Sequence, residues 1–141
     1  MKPALAFRQP HSPQSWDSLP KGELVLNEIN QLLSPWWSKF FGYHLLKIGA
    51  LSGEVDSEQC TIRNQLTVLP SLNEKIESWR EVDTCHSRAS YALGDVDDLP
   101  IAEHSIDVCL LSHALEFSLD PHHVVREASR VLIPNGYLVI T

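Results

Sequence analysis

The sequence predicts an α/β fold built on an open, mostly parallel sheet with flanking helices, and three neighbouring segments near the C-terminus carry that expectation. Ile106 to Leu111, IDVCLL, is apolar on both faces, as a central parallel strand covered on both sides requires. Asp120-Pro121 is a cap and first-turn pair opening a helix whose inner face would hold Val124, Val125, Ala128, Val131 and Leu132. Pro134-Asn135-Gly136 then predicts a turn, and Tyr137 to Thr141, YLVIT, a second buried strand. A strand, a helix and a strand in succession imply a right-handed parallel crossover.

The remaining elements follow from the N-terminus. Residues 8–20, RQPHSPQSWDSLP, combine prolines with polar residues and lack an apolar period, so they read as an irregular surface lead-in anchored by Trp16. Val25, Ile29, Leu32 and Trp36 then recur at spacings of four, three and four, which predicts a helix from about Gly22 to Leu33 with these residues on its buried face. Ser34-Pro35 reads as the cap of a second short helix, Trp36 to Phe41, stopped by Gly42. Tyr43 to Ile48 is a short buried strand ending at Gly49. Thr61 to Leu69 is another, with Ile62, Leu66 and Val68 alternating against Arg63, Gln65 and Thr67, and Pro70 ends it. Leu72, Ile76 and Trp79 share a helical face after a cap formed by Ser71 and Glu74, and Tyr91 to Leu93 is a brief strand. Between Gly53 and Thr61 there are too few residues for a full crossover helix, so the first helix of the sheet should be shrunken.

Composition bounds the function classes. A chain of 141 residues has room for one hydrophobic core, and its 43% hydrophobic and 21% charged residues exclude disordered, collagen-like and rod-like classes. Eleven Lys and Arg against eighteen Asp and Glu leave a net charge of −7, which argues against nucleic-acid or anionic-membrane binding. Residues 1–47 carry five basic and three acidic groups, residues 48–141 six and fifteen. No apolar run approaches the ~20 residues of a membrane span, and MKPALAFRQP lacks a signal-peptide core, so a soluble cytoplasmic protein is expected. The odd set Cys60, Cys85 and Cys109 forms no CxxC pair and fits a reducing compartment.

In an open parallel sheet, ligands bind beyond the carboxyl ends of the strands. LLKIGALSG, Leu45 to Gly53, puts Gly49 and Gly53 at such an end, where missing side chains either let backbone approach a ligand or merely make a tight turn. GDVDDLP puts Asp95 just after a strand, where its carboxylate could accept from a ligand amine; Asp97 and Asp98 are also natural turn residues. Arg126 and Arg130 read as solvated, or paired with Glu127 or Asp120. His104, His113, His122 and His123 with Cys109 do not share a plausible ligand geometry, so no metal site is expected. No nucleophile elbow, P-loop or glycosidase carboxylate pair is present. The aromatic cluster Trp36, Trp37, Phe40 and Phe41 is read as helix packing onto the sheet, with an aromatic lid as the other reading.

The run from Gly94 to Thr141 resembles the second half of a class I S-adenosylmethionine-dependent methyltransferase of the type 11 kind. Asp95, Leu99-Pro100, Asp107-Val108, Ser112, Leu115-Glu116, Asp120-Pro121, Arg126-Glu127, Arg130-Val131-Leu132, Pro134 and Gly136 carry the resemblance. LLKIGALSG sits where that family has its glycine-rich motif. The resemblance implies a Rossmann-like domain over residues 43–141, preceded by a lead-in and helical lid segment over residues 1–42. It implies S-adenosyl-L-methionine as cofactor: Gly49, Ala50 and Gly53 would cradle its methionine end, Asp95 would accept from the adenine amine with Val96 nearby, and Ser112 would border the sulfonium. His113, a residue type that titrates near neutrality, is the candidate base.

Departures from the family pattern carry expectations of their own. Lys47 replaces a usual acidic residue and Leu51 a central glycine, so a more positive and bulkier cradle is expected. Leu69-Pro70-Ser71 stands where a ribose-binding acid is usual, with Glu74 a late substitute. The family continues beyond the last strand with a helix and a two-stranded hairpin, so the sheet should be incomplete and its edge should favour a homodimer. The expected function is methyl transfer to a small-molecule acceptor of unspecified atom type. The alternative class is an inactive methyltransferase-like domain that binds a partner protein.

Overall fold

The computed structural model describes residues 11–71 and 89–141. The helix expected around Leu72, Ile76 and Trp79, with Glu74, lies outside the described residues. Five strands form one sheet: β1 (His44–Ile48), β2 (Asn64–Leu69), β3 (Ala89–Leu93), β4 (Ile106–Leu111) and β5 (Leu132–Ile140). All neighbouring pairs are parallel and the order is β3-β2-β1-β4-β5. The chain therefore builds outward from β1 through β2 to β3, returns to place β4 on the other side of β1, and builds outward again. That reversal opens a crevice between the carboxyl ends of β1 and β4.

The sheet is covered on both faces, which explains its apolar strands. Leu45, Val108 and Leu110 belong to one buried cluster with Trp16, Ile29 and Trp37, whereas Leu46, Cys109 and Leu111 belong to the other with Val124, Ala128 and Val131. Neighbouring residues thus feed opposite cores, as the two-residue period of a strand dictates. Burial pushes the Cys109 thiol up to about 12, so this cysteine is an apolar core residue at neutral pH.

The N-terminal helix differs from the expectation in two ways. It is one continuous helix, α1 (Gly22–Trp37), with Pro35 inside its last turn, rather than two helices broken at Ser34. A proline two residues before a helix end removes a single hydrogen bond, which terminal packing offsets more readily than a mid-helix loss. Its buried face is also rotated: Ile29, Leu33 and Trp37 face the core, while Val25, Leu32 and Trp36 are exposed, Leu32 at 68%. Both stripes have helical spacing, and the stripe ending in Trp37 wins because it carries the indole that reaches full burial against the sheet.

The crossover from β1 to β2 holds only a four-residue helix, α2 (Ala50–Gly53), as the short spacing predicted. Side chains do the work that a longer helix would do for its own backbone. Lys47 Nζ donates to the Val55 carbonyl at 2.7 Å, and the amide of Asp56 donates to Asn30 Oδ1 at 2.9 Å. Gln65 lies buried on β2, where its side chain accepts from Ser57 Oγ and donates to the carbonyls of Ser57 and Ile62. The strand accordingly starts at Asn64, after this loop, and not at Thr61.

The last helix, α3 (Pro121–Val131), is capped by Asp120, whose carboxylate accepts from the His123 amide. Val131 runs directly into β5, so Pro134-Asn135-Gly136 does not terminate the helix. It instead bulges out of the strand: Ile106 pairs with Leu132, but Val108 already pairs with Tyr137. Asn135 supplies the left-handed backbone there, at φ 66°. No helix among the described residues is long and apolar enough to cross a membrane.

Candidate functional site

At the crevice, three turns come together. The turn after β1 contributes Gly49, Ala50 and Leu51; the loop after β3 contributes Asp95, Val96 and Asp97; the turn after β4 contributes Ser112, His113 and Ala114. Ser12, Pro70 and the segment Phe117–Leu119 complete one cleft. Gly49 has φ 90°, a conformation strained for any residue with a side chain, and it opens the backbone toward the cleft at the strand end.

A hydroxyl network ties the walls. Ser52 Oγ donates to the Ile48 carbonyl at 2.6 Å and accepts from the Ser112 amide at 2.8 Å, joining the ends of β1 and β4. Thr141 Oγ1 donates to Ser112 Oγ at 2.8 Å, and the His113 amide donates to the Thr141 carbonyl at 3.0 Å, which adds the end of β5. His113 takes a left-handed backbone at φ 50°. Its imidazole meets the Trp16 indole edge to face at 5.0 Å, and Nδ1 is buried with no hydrogen-bond partner among the described residues.

The loop after β3 is clamped from behind. Glu127 Oε2 accepts from the Leu99 amide at 2.9 Å, while Arg130 donates to the carbonyls of Ile101 and Leu99 and to both oxygens of Glu127. The hydrogen bond from Arg130 holds the Glu127 carboxyl below the usual carboxylate range. Arg130 is thus a scaffold residue, as its position suggested.

Of the residues the sequence singled out, Gly49, Ala50, Asp95, Val96, Ser112 and His113 line this cleft together. Gly53 does not; its Cα faces Thr67, whose Cγ2 would lie 3.0 Å from an added Cβ. The expected effect of Lys47 is corrected as well. Lys47 is buried, bonds to Val55 and takes no part in lining the cleft, so its charge does not face a ligand. Burial lowers its pKa to about 8. Leu51 is buried in the core cluster with Trp16 and also borders the cleft. Ser12 is a lining residue from the lead-in that sequence reasoning did not assign, because no periodicity or spacing links an irregular lead-in to the strand-end turns; Trp16 lies buried behind the cleft, against Leu51 and His113.

The cleft is bordered by the Gly49 turn, the acidic loop of Asp95 and Asp97 and the strand-end His113, so it offers backbone amides, carboxylates and an imidazole to a ligand. The family model described as "Methyltransferase domain" matches residues 46–140. The uncharacterized protein YafS of Escherichia coli K12 is 39% identical over 141 residues, covering 100% of this chain and 52% of that protein. A demethylmenaquinone methyltransferase of Chlamydia pneumoniae is 29% identical over 100 residues, covering 70% of this chain and 44% of that protein. The YcgJ protein of Bacillus subtilis superposes with a TM-score of 0.64 at 19% identity over 79% of this chain and 50% of that one, a likeness of fold. The chain spans about half the length of the curated relatives it matches. With a matching domain model over most of its length and every strand in the order that fold requires, the chain belongs to the class I S-adenosylmethionine-dependent methyltransferase family.

Proposed function

We propose that this chain forms the cofactor-binding part of an enzyme that transfers a methyl group from S-adenosyl-L-methionine to a small-molecule acceptor. The observation that carries the reading is the convergence of Gly49 and Ala50, Asp95 and Val96, and Ser112 and His113 on one cleft at the reversal point of the sheet. The demethylmenaquinone methyltransferase among its relatives supports a small-molecule acceptor. The alternative, an inactive domain that binds a protein partner, draws no support from these relatives.

When bound, the cofactor supplies an electrophilic methyl group on a sulfonium. The residues of this chain would do the rest. The Gly49 turn and the Asp95 loop hold the two ends of the cofactor, which fixes the position of the methyl group, and positioning is the larger part of such a rate enhancement. Ser112 borders the reacting centre. An acceptor oxygen or nitrogen gives up a proton as it is methylated, and His113, which lines the cleft, is the group that would take it. The lead-in and helical segment 1–42 enters this reading as a lid segment on the strength of Ser12, the residue of its described part that lines the cleft.

The deciding experiment is calorimetric titration of the purified protein with S-adenosylmethionine and S-adenosylhomocysteine. Micromolar binding, weakened about tenfold or more by Asp95→Ala through loss of a hydrogen bond to a charged acceptor, is expected. No binding at millimolar ligand by a folded protein overturns the reading.

A further inference from the structure

Trp16 is 1% exposed although it sits in a three-residue 3-10 turn of the lead-in, Trp16–Ser18. Its indole Nε1 donates to the Leu51 carbonyl at 2.9 Å in a buried hydrogen bond, and its backbone amide donates to Glu54 Oε2 at 3.3 Å. Both acceptors lie in or just after α2, the turn that borders the cofactor end of the cleft. The same indole meets the His113 imidazole edge to face, at 5.0 Å and 77°. His113 in turn holds a left-handed backbone, which a non-glycine residue keeps only where its surroundings over-determine it. Two things do so here: its amide bond to Thr141 fixes the backbone, and Trp16 fixes the ring.

We propose that Trp16 is a positioning residue that couples the two walls of the cleft, its N–H setting the Leu51 turn on the cofactor side and its ring setting the His113 imidazole on the acceptor side. The inference rests on the methyltransferase reading for its purpose. The Ser52–Ser112 hydrogen bond already joins the two backbones, so what Trp16 adds is control of the imidazole itself. One side chain from outside the sheet thereby braces both the glycine turn and the candidate base, and the two halves of the indole do separable jobs.

That separation gives the test. Two variants are compared with the unaltered protein by thermal melting, by imidazole NMR of His113 assigned through His113→Gln, and by calorimetric titration with S-adenosylhomocysteine. Trp16→Phe loses the N–H and shrinks the ring; replacing Trp16 by benzothienylalanine keeps the bicyclic ring and removes only the N–H. In folded Trp16→Phe, shifted and broadened His113 resonances with about tenfold weaker ligand binding are expected. In the benzothienylalanine protein the binding should weaken while the His113 resonances stay near their original positions. A merely structural tryptophan would lower the melting temperature of both variants and leave the His113 line widths and the affinity unchanged, with only the ring-current shift that loss of the indole itself produces, and that result overturns the proposal. If Trp16→Phe does not fold, undiminished affinity in the benzothienylalanine protein overturns it. If the unaltered protein binds no S-adenosylhomocysteine, the methyltransferase reading fails by itself, and the His113 spectrum of Trp16→Phe still decides the coupling.

Discussion

Asp107 and Gly42 share one space at the start of the sheet. The Asp107 Oδ2 accepts from the amides of Tyr43 and His44 at 2.8 and 2.9 Å, and a Cβ on Gly42 would lie 2.3 Å from Asp107 Cγ. Gly42 also has φ 148°, so a side chain there meets both a clash and an unfavourable backbone. The carboxylate on β4 thereby registers the entry of β1. Gly42→Ala should cost about 1–3 kcal/mol and Asp107→Ala about 2 kcal/mol, read from chemical denaturation. A change below ~0.5 kcal/mol in both would refute this role for the pair.

Lys47 makes stability depend on alkaline pH. Desolvation by burial is the main cause of its lowering from 10.5 to about 8, against a partial opposing pull from Asp56. Between about 8 and 10.5 the folded chain has released a proton that the unfolded chain still binds, so this group's contribution favours folding more as pH rises through that window. Below it, both states are charged and the folded state bears the full cost of burial, on the order of 3 kcal/mol. Lys47→Met should remove the rise and stabilise the protein at pH 7 by about 1 kcal/mol, the lost bond to Val55 offsetting part of the gain. Melting curves of both proteins from pH 7 to 10 check it. A difference between them that stays constant with pH would contradict the burial of a charged lysine.

The Glu127–Arg130 pair holds the loop that bears Asp95. Because Arg130 keeps the Glu127 carboxyl low, its contribution is present above the unfolded value of 4.5 and is lost as pH falls through the lower folded value. Glu127→Gln should therefore destabilise the protein at pH 7 and converge with the original in acid. It should also weaken cofactor binding several-fold, since the Leu99 amide loses a charged acceptor and the loop loosens. Unchanged affinity together with an unchanged melting temperature would count against the clamp.

Ser52→Ala deletes the buried hydroxyl that bridges Ile48 and Ser112. It leaves the Ser112 amide without its acceptor, so a loss of about 1–3 kcal/mol is expected, with faster hydrogen exchange at Ser112. Exchange at Ser112 as slow as before would show that another group serves the amide.

The sequence by itself determined the parallel sheet, because its strands carry apolar residues on both faces and its connections carry caps: IDVCLL became β4 with the bounds its pattern set, and Asp120-Pro121 opened α3. It also placed Gly49, Asp95 and Ser112 at strand ends, where topology converts spacing into proximity. What only the tertiary structure decided were choices between alternatives of equal local quality. Two stripes on α1 had helical spacing, and contact with the sheet selected the one ending in Trp37. Lys47 could have turned its charge to the cleft, but the short α2 left the Val55 carbonyl in need of a donor beneath it. Trp16 carried no periodic signal at all; it came to lie behind two cleft residues, Leu51 and His113, because a buried indole must both fill space and find an acceptor, and the turn after β1 offered both.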